Sequence, residues 1–406
     1  MNSDRKKRMR RSSFAKKVLR ICAGMLAVLA AGILLCGCSL AERIGYELSG
    51  SGVEAWEEAA TAAGVTSAVE EYYYEHFPEH LQEAYRELYV KLMRGESSGT
   101  FLSSVNAEEF WKVYYGVLAD HPEIFWLGPS AQVEQSVFTG TVVNYELETI
   151  VPKEARPSML AQIEAAADEC ISLIWSEASD YQKIQFVYEY IIDTTAYDSG
   201  SPDTQNIQSA LLYHSSVCAG YSKAFQYILN RMGMFCTYIT GTIRDGGDHG
   251  WNMVRIDGNY YYVDVTWGDP VFVSRVEGAS GNRTNYNYLC CTEMDLFKTH
   301  TPDGAVELPE CISDDYNYYK RNGYYYEQFD YGTIYNALMN SVWAGESSIV
   351  MKFGSREAFD AACFELFQGK LLSDAGQYLM EINGVSNWNY RYHKDENFYL
   401  VTVYWV

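Results

Sequence analysis

Basic side chains are scarce in this chain: 31 Lys and Arg stand against 53 Asp and Glu over 406 residues, a formal net charge of −22. A protein that neutralises nucleic-acid phosphates needs a basic footprint, so this balance argues against a nucleic-acid partner. No CxxC pair occurs, which leaves a structural zinc site little support, and cysteine density is far below that of a disulfide-stapled scaffold. No fixed-period repeat or low-complexity block is evident, and beyond residue 35 there is no run of eighteen apolar residues to span a membrane. What remains is globular in composition: 48% hydrophobic, 21% charged, with 35 tyrosines contributing most of a 15% aromatic content.

The few bases are unevenly placed. Nine of the 31 lie before Cys38, with a single acid, Asp4, so the chain from Cys38 onward carries 22 bases against 52 acids, a net charge of −30. The basic segment precedes a fifteen-residue apolar run, Ile21 to Leu35, too short for a membrane span but suited to a signal-peptide core. The run ends in Leu35-Cys36-Gly37-Cys38, which resembles a bacterial lipoprotein signal. The resemblance implies a signal peptide over 1–37, lipidation at Cys38, and an extracytoplasmic location on the cell membrane. The alternative is an uncleaved N-terminal anchor, which leads to the same side of the membrane.

The organisation expected from pattern is a tether over 38–65, an accessory α+β region over 66–165 that is mostly helical at its start, a core over 166–305, and a C-terminal α+β domain over 311–406. Leu81, Tyr85, Leu88, Tyr89 and Leu92 recur at helical spacing, and a second helix is expected from Ala107 to Leu118. Residues 131–151 alternate as a strand pair, and helices follow over 157–175 and 181–192. In the tail, Asn322-Gly323 between tyrosine-rich runs predicts a β-ribbon. A helix near 333–344, a strand over 348–353, one long helix over 356–379, and strands over 388–392 and 398–405 follow it. The aromatic strands read as sheet packing or as a platform for glycan or wall polymer.

Seven cysteines follow Cys38, an odd number, so at least one thiol is unpaired or paired between chains. Cys218 opens an amphipathic helix in which Tyr221, Ala224, Phe225, Ile228, Leu229 and Met232 share a face, stopped by Gly233. At that helix start, free N–H groups and the positive end of the macrodipole favour an anion, a thiolate included. Downstream, Asp257-Gly258 divides two β-rich runs and predicts a two-residue hairpin in which facing residues sum to 515. His249, Trp251 and Asp264 then project from one side, with Asp264 the diagonal neighbour of His249. Cys, His and Asp in that order can form a nucleophilic triad: thiolate nucleophile, imidazole acid and base, and a carboxylate that orients the imidazole. The N–H of Cys218 is the natural first oxyanion donor. His214 reads as an exposed loop histidine, Cys236 and Cys290-Cys291 as packing, and Asp245 and Asp248 as solvated loop acids.

Three blocks, Cys218-Ala219-Gly220-Tyr221, His249-Gly250-Trp251-Asn252 and Val263-Asp264-Val265-Thr266-Trp267, resemble the core motifs of bacterial transglutaminase-like proteins of the papain-like cysteine-enzyme superfamily. Residues 181–198 look like the helix that leads into that core and 288–300 like its trailing segment. Gly250 departs from the alanine common in the family. The resemblance implies an α+β core in which a helix with an N-terminal cysteine packs on an antiparallel hairpin. It implies a Cys218, His249 and Asp264 triad supported by Trp251, Asn252, Tyr221 and Trp267, with no metal or other cofactor. The expected activity is cleavage or transfer of amide bonds in protein or cell-wall peptide. The competing expectation is a non-catalytic surface adhesin or wall-binding module on the same fold.

Overall fold

The computed structural model describes residues 70–244, 246–269, 284–384 and 386–405. The basic leader, Cys38, the tether and the loop acid Asp245 lie outside the described residues. Among those described, no helix is long and apolar enough to cross a membrane. The chain is α+β and divides into two compact units.

One unit comprises Phe77–Val117 and Ser130–Glu148. After a short helix α1 (Tyr72–His76), which belongs to the other unit, come helix α2 (Glu79–Met93), strand β1 (Ser98–Thr100), helix α3 (Ala107–Asp120) and strands β2 (Leu127–Gln135) and β3 (Val142–Thr149). The three strands form a sheet in the order β1-β3-β2. The expected strand pair is there, and the additional strand β1 interrupts the helical stretch. A buried carboxylate fixes that interruption: Glu87 accepts from Leu102 N, Ser103 N and Ser103 Oγ at 2.7–2.8 Å. No periodicity signals such a contact, because two of its partners are backbone N–H groups.

The second unit holds residues 70–76, Leu118–Pro129 and the chain from Thr149 onward. Helix α4 (Arg156–Ser172) precedes helix α5 (Asp180–Thr194). The latter starts at a capping box, Ser179 and Gln182 each bonding the other's backbone. Short elements β4 (Ala196–Tyr197), α6 (Ile207–Leu211) and β5 (Ser215–Ser216) lead into helix α7 (Cys218–Arg231). Strands β6 (Cys236–Ile243), β7 (Asp248–Ile256) and β8 (Asn259–Val263) follow, then a helical turn α8 (Val265–Gly268), a turn α9 (Glu293–Leu296) and strand β9 (His300–Pro302). The antiparallel sheet runs β8-β7-β6-β9. Ile256 faces Asn259 and Asn252 faces Val263, the register read from the Asp257-Gly258 turn.

That ladder stops at Asn252–Val263, three pairs short of the expected His249–Thr266. Asp264 is not a strand residue; it caps α8, its Oδ1 accepting from Trp267 N at 3.0 Å. His249 therefore has no facing Thr266. A carboxylate able to satisfy helix-start N–H groups outcompetes one more strand pair.

The tail contains two departures from expectation. The tyrosine-rich ribbon does not form: α10 (Tyr318–Arg321) is helical and β10 (Tyr325–Tyr326) pairs in parallel with β11 (Ser348–Phe353). Asn317 caps the helix by accepting from Tyr319 N and Lys320 N, and Gly323, at φ +74°, ends it. After α11 (Tyr331–Trp343), the expected single long helix is two, α12 (Arg356–Phe367) and α13 (Leu371–Asn383). The N–H groups of Gln368 and Gly369 both turn back to Phe364 O, which ends the first helix at the glycine. Strands β12 (Tyr390–Asp395) and β13 (Leu400–Trp405) complete a sheet in the order β10-β11-β13-β12. Its core includes Leu338, Met351, Phe359 and Val401. Tyr72, Tyr85, Tyr114, Tyr188, Tyr221, Tyr261, Tyr262 and Tyr288 are fully buried, so packing absorbs much of the tyrosine excess.

Candidate active site

Cys218 is the first residue of α7, and Val217 before it supplies no side-chain cap. The first-turn N–H groups are thus left to whatever binds there. The helix start is pressed close to preceding backbone: a Cβ on Gly220 would come within 2.6 Å of Ser209 Oγ and 2.8 Å of Thr204 O. That contact explains a glycine two residues after the cysteine. Helix and sheet are fastened together by Ser222 Oγ, which donates to Gly250 O at 2.9 Å. Asn252 Nδ2 donates to Ser222 O at 3.0 Å and to Thr237 O at 3.3 Å.

His249 is buried on β7, and its Nε2 lies 2.7 Å from Asp264 Oδ2. The Cys218 side chain is near enough to act on the imidazole in the same sense as Asp264. Burial alone would lower the imidazole's pKa, but the Asp264 charge and hydrogen bond, reinforced by Cys218, raise it to about 10. Burial acts against Asp264 ionising, yet the two histidines it contacts hold its carboxyl well below the usual carboxylate range. The ring of His249 stacks on Trp251 at 6.2 Å and 25°, and meets Trp267 edge-on at 6.5 Å.

The two tryptophans thus wall the imidazole, whereas Asn252 and Tyr221 act on the scaffold. Asn252 ties the helix to the sheet, and the buried Tyr221 hydroxyl bonds Thr195 O at 2.6 Å and Asp269 Oδ2 at 3.0 Å. Tyr238 and Lys223 stand beside Cys218. Burial pushes the Tyr238 phenol up, and charge on Cys218 adds to it; burial draws Lys223 down to about 8, against the pull of Cys218. The Lys223 ammonium lies 5.5 Å from the Tyr238 ring centroid. The phenol occupies the space over Gly250, where a Cβ would overlap Oη and lie 2.5 Å from Cζ.

One residue of the site went unseen in the sequence. His300, on β9, is fully buried and places Nε2 2.9 Å from the same Asp264 oxygen, while its Nδ1 meets Thr299 Oγ1 at 2.8 Å. Asp264 therefore receives both imidazoles and the Trp267 N–H. His300 lies 36 residues beyond Asp264 on a strand of three residues, and no local pattern signals that pairing. Ring and carboxylate atoms of His249, Asp264 and His300 fall within 4.8 Å of one another, a donor set that could also hold a metal ion.

All seven cysteines among the described residues are free thiols; six are buried and Cys218 is half-buried. Burial pushes Cys170 and Cys311 up to about 12 and raises Cys236, Cys290, Cys291 and Cys363 as well. His214 is exposed in its loop, and Asp248 opens β7 at the surface.

Residues 171–265 match the family model described as the transglutaminase-like superfamily. The human kyphoscoliosis peptidase is 25% identical over 180 residues, covering 39% of this chain and 27% of that protein. The mouse kyphoscoliosis peptidase is 24% identical over 159 residues, covering 35% and 24%. The chain thus spans about a quarter of the length of these relatives. A crystal structure of a TGase, 12% identical, aligns over 43% of this chain and 46% of its own with a TM-score of 0.25.

Proposed function

From a chain that carries a transglutaminase-like domain, we propose an extracytoplasmic, lipid-anchored cysteine enzyme that cleaves or transfers amide bonds of protein or cell-wall peptide. The observation that supports it most is the buried His249–Asp264 pair at 2.7 Å, with Cys218 at a helix start near enough to act on the imidazole. Asp264 holds the imidazole as a cation beside the sulfur, ready as the acid the leaving amine needs. The thiolate adds to the amide carbonyl, and the oxyanion takes the open N–H of Cys218. As the tetrahedral intermediate collapses, the imidazolium gives its proton to the leaving amine and the C–N bond breaks, leaving an acyl-thioester on Cys218. His249, now neutral, takes a proton from an attacking water or amine. The acyl group leaves as acid or as new amide, and the thiolate is restored. Hydrolysis is the favoured outcome, since the sulfur is half-buried and open to water in part.

The anchor follows from Cys38 and its flanking residues, and the chain beyond it, with a net charge of −30, would be repelled from an anionic bilayer and project outward. A library of peptides and wall fragments, incubated with the full-length protein and with Cys218→Ala, tests the proposal. New amine termini or new amides are expected with the first protein alone. Equal binding by both proteins with no product from either would instead make the chain a binding module.

A further inference from the structure

A cleft of about 350 Å³ opens between the segment that follows the β8 strand and the sheet of the C-terminal region. Three lysines line it, Lys298, Lys320 and Lys352, against two aspartates, Asp295 and Asp314. In a chain of net charge −22 this is a local excess of one positive charge. Two of the lysines are answered on the spot: Lys298 Nζ lies 2.7 Å from Asp295 Oδ1, and Lys320 Nζ 2.5 Å from Asp314 Oδ2.

Lys352 is not answered in this way. It projects from β11 with its side chain 7% exposed, and its ammonium sits 5.1 Å and 5.5 Å from the ring centroids of Phe398 and Tyr319. The Asp295 Oδ2 atom is 3.7 Å away, within ion-pair range but beyond a hydrogen bond. Among the described residues its three N–H groups have no hydrogen-bond acceptor. Aromatic faces attract a cation without accepting its protons in defined bonds, so the ammonium keeps N–H groups free for a further acceptor. Burial lowers its pKa, Asp295 opposes that, Lys298 adds to it and Asp395 opposes it. The side left open is the cleft itself.

The same cleft exposes apolar surface. Met294 and Ile312 line it and are 80% and 68% exposed, large side chains that the fold leaves uncovered. One excess positive charge at a buried floor, beside uncovered apolar walls, matches a monoanion joined to an apolar body. We propose that this cleft binds the free carboxylate of a peptide ending in an apolar residue, its oxygens accepting from Lys352 at the floor and Lys320 at the rim, its side chain covering Met294 and Ile312. Two ring contacts lead from the cleft to the candidate active site: Phe398 packs on Tyr288 at 5.3 Å, and Tyr288 on His300 at 5.5 Å. The binding stands whether or not Cys218 turns over, because none of its contacts involves the sulfur.

Lysine acylation of the full-length protein, read by mass spectrometry, tests the assignment. The probes are N-acetyl-Leu-Leu with a free carboxylate, the same dipeptide as its amide, and inorganic phosphate at matched ionic strength. At ten times its dissociation constant, the free acid is expected to slow acylation of Lys352 about tenfold. The reference Lys112, 47% exposed, should be unaffected, and the amide should leave both unchanged. Calorimetric affinity for the acid should fall about tenfold or more in Lys352→Met and in Lys320→Ala, the latter carrying the test if the former does not fold. Four results would overturn the proposal: no acylation of Lys352 in the free protein, equal protection by the amide, protection by phosphate alone, or an affinity unchanged by Lys320→Ala.

Discussion

Replacing Asp264 by asparagine isolates the term on which the proposed chemistry turns. Raising an imidazole from 6.5 to about 10 corresponds to about 5 kcal/mol in favour of the cation, at about 1.4 kcal/mol per pH unit. After burial, which acts in the opposite sense, Asp264 is the largest contributor, and Cys218 adds less. Asparagine keeps the shape and one acceptor oxygen but loses the charge, and its amide NH₂ cannot accept from either His249 or His300. The His249 pKa is therefore expected to drop by several pH units, to its ordinary value or below, because burial then acts almost alone. Protein labelled at histidine Cε1 with ¹³C and titrated by NMR reads this directly, with His249→Gln assigning the resonance. The activity found in the library screen should follow: kcat/KM of the unmodified enzyme falls as pH rises through about 10, where the acid is lost, and in Asp264→Asn that limb moves below neutrality. The rate should fall about 10³- to 10⁴-fold, as when a triad loses the carboxylate that fixes its tautomer. A His249 that still titrates near 10 in Asp264→Asn would refute the argument, whatever happened to the rate.

Thiol chemistry gives a second test: burial that lifts Cys170 to about 12 leaves it about a thousandfold less thiolate near neutral pH than an ordinary thiol. Iodoacetamide should therefore modify Cys218 first and by a wide margin, His249→Ala should slow that step, and labelling of Cys218 no faster than Cys170 would remove the nucleophile assignment. Gly250→Ala should cost about 1–3 kcal/mol by thermal or urea unfolding, since its methyl overlaps the Tyr238 phenol; Gly250→Ala combined with Tyr238→Ala should cost less than the two changes added separately. Buried His121 places Nε2 2.9 Å from Glu71 and Nδ1 2.8 Å from Glu123, and although burial lowers its pKa, these carboxylates, Glu123 foremost, raise it to about 9. A folded-state value above the unfolded one contributes stability that is complete below about 6.5 and lost as pH rises through 9. Urea unfolding between pH 6 and pH 10 should show a smaller loss in His121→Gln than in the unmodified protein, the remainder coming from His249, which is raised in the same sense.

Much of the candidate site was legible because its parts are local. A helix whose apolar face begins at Cys218 and a turn at Asp257-Gly258 set the helix start and the hairpin register from Ile256–Asn259 to Asn252–Val263, before any long-range contact is considered. The same logic failed where a polar side chain competed with the pattern. Asp264 ended its strand by capping a helical turn, and Asn317 turned an expected ribbon into a helix. In the tail, Gly369 ended a helix whose apolar spacing continued on its far side.

Periodicity and turn chemistry determined the α+β class, the helix that carries the cysteine, and the hairpin that carries His249 and leads into Asp264, because those depend on neighbours a few residues apart. Tertiary structure alone decided that His300 closes on the same carboxylate oxygen, that Tyr238 fills the space over Gly250, and that Lys352 lies buried in the lining of a cleft. Each of these joins residues far apart in the chain or a side chain to a vacancy. Such contacts are selected by packing and desolvation across the whole core, which no local spacing encodes.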